Sequence, residues 1–217
     1  MVRQQEFAYW GGKRDGAGRK QVNARKSQPH RPRAKLAGAS PVHVTVRTHS
    51  AVGALRRHRG YRALHRALRV VAARTDFRVV HVSIQNTHVH FLVEADHEVA
   101  LARGMQALQI SAARALNAEL GRRGNVFVDR YHPCVITSPR QARNALAYVL
   151  NNWRKHGAHT THPDWPIDPY SSAVTFYNTV SPYPALPVCR AQTWLLRIGW
   201  TRHARITPRS VLRAASA

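Results

Sequence analysis

Two histidines flank a single valine in His88-Val89-His90, and the apolar run Phe91-Leu92-Val93 follows. In an extended strand the side chains at i and i+2 leave the same face. Both imidazoles therefore project together, while Val89 and Phe91 project the other way. Their backbones lie about 7 Å apart, and neutral imidazoles so placed can converge on one divalent cation. An ordinary pair of half-buried histidines fits the same spacing, because so short a motif recurs by chance. A second pair changes the weighing. Tyr148 and Asn152 stand four residues apart in a segment of helical periodicity, which sets a phenol and an amide one above the other. Ala142, Leu146, Val149 and Trp153 form the packing stripe of that segment, and Gln141, Asn144 and Lys155 join the polar face, turned away from it. A histidine pair and a tyrosine–amide pair in one small domain make a plausible site, and two imidazoles completed by an amide suit one ion that polarises a phosphate.

What is missing narrows the chemistry further. Two-metal nuclease sites need a cluster of carboxylates to hold two hard cations. The acidic residues between 41 and 157 are Asp76, Glu94, Asp96, Glu98, Glu119 and Asp129. Glu94, Asp96 and Glu98 fall together at a strand end and read as a solvated turn.

The charge points to a polyanionic partner. Lys and Arg number 34 against 10 Asp and Glu, a formal net charge of +24. The excess is +8 over residues 1–40, +12 over 41–157 and +4 over 158–217, so a basic tail alone does not account for it. Self-repulsion on this scale makes sense if nucleic acid neutralises it. An anionic membrane surface is the other option, but the chain has no lysine-rich amphipathic helix with a large aromatic face. The expected phosphate contacts are Arg14, Arg19 and Lys20 in a glycine-rich N-terminal arm and a stripe of Arg59, Arg62, Arg66 and Arg69 at helical spacing. Arg130 and Lys155 complete the set. The arm would lie along a phosphate backbone, or else serve only as a solubilising tail. Cys134 and Cys189 form no paired motif, which suits a reducing compartment. No signal peptide and no apolar run of membrane-spanning length is visible, so a cytoplasmic protein is expected.

The elements that must position these residues follow from periodicity. Val42, Val44 and Val46 alternate with His43 and Thr45 as a strand. A helix is expected over 54–74, with Tyr61, Leu64, Leu68 and Val71 inward. Strands at 77–85 and 89–94 are joined by a tight Asn86-Thr87 hairpin. A second helix spans about 98–122, a fourth strand lies within 126–137, and Ser138-Pro139 caps a third helix running to about 155. The order β-α-β-β-α-β plus one helix is the α+β, ferredoxin-like arrangement with an antiparallel sheet. Three regions are expected: a basic flexible arm at 1–40, the working domain at 41–157, and a proline-rich C-terminal extension at 158–217. One short helix is expected near 193–200.

His88-Val89-His90 with Phe91-Leu92-Val93-Glu94 resembles the His-hydrophobic-His motif of the HUH endonuclease superfamily. Arg130-Tyr131-His132 and Tyr148-Val149-Leu150-Asn151-Asn152 resemble the bacterial single-tyrosine transposases, the REP-associated tyrosine transposases in particular. Gly16-Ala17-Gly18-Arg19-Lys20, Asp168-Pro169-Tyr170-Ser171-Ser172-Ala173 and Thr193-Trp194-Leu195-Leu196-Arg197 are similar to longer members, so the resemblance spans most of the chain. It implies that Tyr148 is the nucleophile and that His88, His90 and Asn152 hold Mg²⁺ or Mn²⁺. It also implies cleavage of single-stranded DNA beside a hairpin, through a 5′-phosphotyrosine, by a bacterial, nucleoid-associated enzyme. The chain departs from many relatives in having Trp153, not proline, after Asn152. Tyr131 is the rival nucleophile, and a non-catalytic binder of structured DNA or RNA is the alternative function. A homodimer, and cutting in cis or in trans, stay open. Activity is expected to fall below about pH 6, because a free imidazole protonates near 6.5.

Overall fold

The computed structural model describes Leu36 and residues 40–210. The arm residues Arg14, Arg19 and Lys20 lie outside the described residues. Strand β1 (Val42–Arg47) leads to α1 (His58–Ala72), β2 (Phe77–Ile84), β3 (His88–Ala95), α2 (Glu98–Leu120), β4 (His132–Val135) and α3 (Pro139–Lys155). The sheet is antiparallel in the order β2-β3-β1-β4. This is the expected α+β, ferredoxin-like arrangement.

Alternation sorts the strands onto two faces. Val42, Val44, Val46, Val89, Phe91 and Val93 face α1 and α2, and share one core cluster with Tyr61, Leu64, Leu68, Leu108 and Leu116. A side chain at Gly104 of α2 would fall on the ring of the fully buried Phe77, so glycine permits this close approach. The other face carries His43, Thr45, His88, His90 and Leu92, and α3 lies across it, burying Ala142, Leu146, Val149 and Leu150 with Leu92. Ser138 caps α3 by accepting a hydrogen bond from the Gln141 amide, with Pro139 in the first turn.

The fourth strand is shorter than its periodicity suggests. Only His132–Val135 pair with β1, and the stretch before them contributes a single bridge from Phe127 to Thr48. Pro133 has no N–H to donate and is tolerated because β4 is an edge strand.

Residues 158–210 add the short helices α4 (Ala158–Thr161), α5 (Ala173–Phe176) and α6 (Trp194–Arg197), the last followed by a 3-10 turn at Gly199–Arg202. These residues close the other sheet edge. The amides of Ile84, Ser172 and Cys189 donate to the carbonyls of Tyr170, Val82 and Val79, so much of β2 has a backbone partner beyond β3. An unpaired strand edge would otherwise invite association with another chain. Leu195, Leu196 and Ile206 meanwhile cover α3. Glu94 anchors the strap: it is fully buried and accepts hydrogen bonds from the Gln192 and Thr193 amides and the Thr193 hydroxyl. The expected solvated turn is therefore corrected for Glu94, because its neighbours in space come from a segment a hundred residues away.

Arg56 and Asp168 make the deepest ion pair of the strap, bidentate at 2.8 and 2.9 Å with side chains 7% and 0% exposed. Burial raises the Asp168 pKa, and the hydrogen bonds and charge of Arg56 oppose that rise. Removing one member of a buried pair strands the other, at a cost of about 3–5 kcal/mol. Asp168→Ala is expected to lower the urea midpoint accordingly, and an unchanged midpoint would show that the strap adds nothing to stability.

Candidate active site

Register brings the chemistry together. β1 pairs with β3 so that Thr45 faces His90 and Arg47 faces His88. The Nδ1 atom of His90 lies 3.1 Å from the Thr45 hydroxyl and 3.2 Å from His43 Nε2. In the tautomer whose Nδ1 donates to one of these partners, the lone pair of Nε2 is left free. That Nε2 atom is buried and has no hydrogen-bond partner.

Helix α3 supplies the facing side. Tyr148, Asn152 and His156 recur every four residues, and His156 is the C-cap of the helix. The Tyr148 ring meets His90 edge-on, with centroids 5.2 Å apart, and lies 5.7 Å from His43. His88 sits 4.7 Å from His90 and 5.2 Å from His156, centroid to centroid. Asn152 is 1% exposed, and both its amide nitrogen and its amide oxygen lack partners. Its neighbour Asn151 is equally buried but donates to the carbonyls of Thr207 and Ser210. Of the two adjacent amides, only that of Asn152 is uncommitted.

The polar face of α3 is thus only partly turned away from the packing side: Gln141, Asn144 and Lys155 are exposed, but Tyr148 and Asn152 are not. Tyr148 is half-buried and Asn152 fully so, because the helix lies on the sheet with that edge over the histidines. A buried amide without a partner costs about 1–3 kcal/mol, and a buried imidazole nitrogen adds to it. Two such orphans, one on β3 and one on the helix packed across it, suit a ligand that is both electrophilic and small. His88, His90 and Asn152 fit a divalent cation by donor chemistry. Among the described residues, no group of three or more His, Cys, Asp or Glu is gathered to hold a metal, and the uncommitted Asn152 amide is a donor outside those residue types.

Burial holds the histidines neutral. It lowers His88 and His43 to about 4, helped at His88 by the positive charge of His156 and Arg47 and at His43 by His132. His90 is lowered further, by burial first and then by its histidine neighbours. The expected loss of activity near pH 6 is therefore corrected downward, since these imidazoles keep their lone pairs to about pH 4. Burial also raises the Tyr148 pKa. The Lys155 ammonium lies 5.2 Å from the centre of that ring.

His81 shows the same effect away from the site. It bonds the Ser172 hydroxyl at 3.1 Å, and burial lowers it to about 4. Its folded pKa lies below the value of about 6.5 in an unfolded chain, so the unfolded state takes up the proton first as pH falls. Its contribution to stability is whole above pH 6.5 and is lost between there and pH 4. Urea midpoints should decline over that window, and less so in a His81→Gln variant. Equal declines would remove His81 as a cause.

The other expected contacts are spread out. Arg59, Arg62, Arg66 and Arg69 are exposed on α1, across the sheet from Tyr148. Arg62 and Arg66 both reach Glu119 of α2, at 3.5 and 2.7 Å, so part of that stripe is already neutralised. Arg130 is exposed just ahead of β4. Tyr131 is 5% exposed and belongs to the core on the α1–α2 side, so the sheet separates it from His90. His43, Thr45 and His156 were not singled out from the sequence. Their signals were there: the first two alternate onto the face of His90, and the third is one turn beyond Asn152.

Comparison with known proteins bears on the family and the fold. The family model described as "Transposase IS200 like" matches residues 39–152, just over half of the chain. No curated protein matches. Among solved structures, a REP-associated tyrosine transposase bound to a REP hairpin is similar over 76% of this chain and 96% of its own, at 16% identity and a TM-score of 0.51. A putative transposase from Deinococcus radiodurans R1 aligns over 52% of this chain and 85% of its own, at 19% identity and a TM-score of 0.36. The matched segment runs from the first strand through the histidine pair to Asn152, and the chain belongs to the IS200-like transposase family.

Proposed function

We propose that this transposase is a metal-dependent endonuclease and strand transferase of single-stranded DNA, cutting beside a hairpin through a 5′-phosphotyrosine on Tyr148. The observation that carries this reading is the packing of Tyr148 against His90 where His90 Nε2 and the Asn152 amide are both orphaned. His88, His90 and Asn152 would hold Mg²⁺ or Mn²⁺. When bound, that cation withdraws charge from the scissile phosphate. Thr45 and His43 orient His90, and the Lys155 ammonium lies beside the Tyr148 ring. The Tyr148 oxygen attacks phosphorus as the bond to the 3′-oxygen breaks. The phenol loses its proton, the departing 3′-oxygen gains one, and the phosphotyrosine retains the energy needed for rejoining. A hairpin substrate is favoured by the fold shared with a relative that is bound to one. The working unit would be residues 41–157, strapped by 158–210, in a cytoplasmic, nucleoid-associated protein. Partner copies in a homodimer are compatible with it.

The alternative, a non-catalytic binder of structured DNA or RNA, would use exposed aromatics on an open sheet. Here α3 covers one face, α1 and α2 cover the other, and Phe91 is 3% exposed, so neither face offers such a platform. Covalent capture separates the two readings. Incubating hairpin-flanked single strands with the protein and Mn²⁺ should give a protein–DNA band on a denaturing gel, absent in excess chelator. Tight binding without any such band would favour the binder.

The basic residues make a separate prediction. Each single-strand phosphate contact contributes about 0.7 to the slope of log affinity against log salt. Deleting residues 1–35 should flatten the slope, and replacing Arg59, Arg62, Arg66 and Arg69 should flatten it further, without moving the cut. Because Glu119 already holds two of the four, the arginine variant should lose less than four contacts' worth. Unchanged slopes in both variants would make these charges a solvated surface.

A further inference from the structure

A cleft of about 530 Å³ opens directly beside the candidate metal ligands, with His88 and His156 on its wall. That volume is typical of small-molecule sites, which run from about 300 to 1,000 Å³. Its floor and far side come from the C-terminal extension: His162, Trp165, Tyr170 and Tyr183. The His162 imidazole lies flat on the Trp165 indole, with centroids 3.9 Å apart and planes 11° from parallel. The hydroxyls of Tyr170 and Tyr183 are joined at 2.8 Å, which fixes both rings. The remaining wall is polar, formed by Gln85, Asn86 and Thr87 at the β2–β3 hairpin. This wall is rigid, since the Asn86 carbonyl accepts from the Leu55 amide and the Thr87 carbonyl from the Thr48 amide and hydroxyl.

The electrostatics select the ligand. Arg56 also lines the cleft, but its charge is cancelled by the bidentate pair with Asp168. The cleft therefore offers a flat aromatic platform and hydrogen-bonding groups, with no uncommitted Lys or Arg among the described residues that line it. Those features suit a neutral, planar, polar-edged ring. Base–aromatic stacking is the usual means by which proteins hold unpaired bases.

We infer that this cleft is a subsite for one unpaired nucleobase of the DNA strand, a base whose own or neighbouring phosphate is the one cut at His88, His90 and Tyr148. The inference rests on the proposed function for the identity of the strand. The base continues the His162–Trp165 stack and turns its edge to the Gln85–Thr87 hairpin. The extension thus contributes to strand positioning as well as to fold, because it supplies the platform.

The test uses the full chain and a pool of random single-stranded oligonucleotides carrying 5-iododeoxyuridine. Irradiation followed by peptide mapping should place a crosslink on His162, Trp165 or Tyr183. A defined oligonucleotide from that pool should bind Trp165→Ala about 5- to 150-fold more weakly than wild type, the range for loss of one stacked base. Trp165→Phe should restore most of the affinity. Because Trp165→Ala also touches the core, the wild-type protein supplies an independent readout: an abasic site at the crosslinked position should weaken binding by a similar factor. Crosslinks found only outside the cleft, or an abasic scan with no sensitive position, would overturn the subsite. Neither readout requires cutting. A crosslink in the cleft with no Tyr148 adduct would therefore retain the subsite and reject the proposed reaction, whereas an adduct with crosslinks elsewhere would do the reverse.

Discussion

Replacing Tyr148 with phenylalanine is expected to abolish adduct formation and strand cleavage while leaving DNA affinity within about twofold. Removing a covalent nucleophile typically costs about 10⁴-fold or more in rate. The substitution deletes a single oxygen from a half-buried ring, so the edge-on contacts with His90 and His43 survive and the helix stays seated. Tyr131→Phe provides the contrast. Its ring lies in the core on the opposite side of the sheet, and that variant should keep full adduct yield. Denaturing gels of both variants on one hairpin-flanked substrate in Mn²⁺ decide the matter. An adduct that persists in Tyr148→Phe and vanishes in Tyr131→Phe would reverse the assignment of the nucleophile.

That contrast also shows which parts of the molecule were legible in the sequence. Val42, Val44 and Val46 alternate cleanly, and Leu101, Met105, Leu108, Ala112 and Leu116 recur at helical spacing. The sheet, α2 and the two-faced logic of β3 could be read from periodicity for that reason. The same logic put His88 and His90 on one face and Tyr148 with Asn152 on one helix edge. What it could not supply was how that helix lies. The packing stripe became buried and took Asn152 with it, leaving Tyr148 half-buried and Gln141, Asn144 and Lys155 exposed, because sheet and C-terminal strap cover α3 from two sides. Glu94 escaped for the same reason, its partners Gln192 and Thr193 being invisible to any local window. A register shift between Val79 and His81 likewise turns Val80 toward α3 and leaves no trace in simple alternation. His43 became legible only through pairing, since its role follows from β1 lying beside β3. Local pattern thus carried the elements, and long-range contacts carried the site.

The adjacent amides Asn151 and Asn152 should respond to truncation in opposite ways. Both are at most 3% exposed, so burial alone predicts the same penalty for each. Asn151 donates to two carbonyls of the strap, and Asn151→Ala abandons both, costing about 1–3 kcal/mol. Asn152 has no partner for either polar atom, so Asn152→Ala relieves an unsatisfied amide of about the same worth, offset in part by the small cavity it leaves. The metal-free variant should therefore melt at or a few degrees above wild type, given about 2–4 °C per kcal/mol at this chain length. Function should move the other way. Saturating Mn²⁺ at about 100 times its dissociation constant stabilises a native protein by about 2.7 kcal/mol. That upward shift in melting temperature should shrink in Asn152→Ala and in His90→Ala, with cleavage reduced by at least about 10- to 100-fold. Asn151→Ala should keep a Mn²⁺ shift equal to that of wild type, on a lower baseline. Melting curves of the variants with and without Mn²⁺ measure both effects at once. Equal destabilisation by the two asparagine changes, together with an intact Mn²⁺ shift in Asn152→Ala, would remove Asn152 from the metal site.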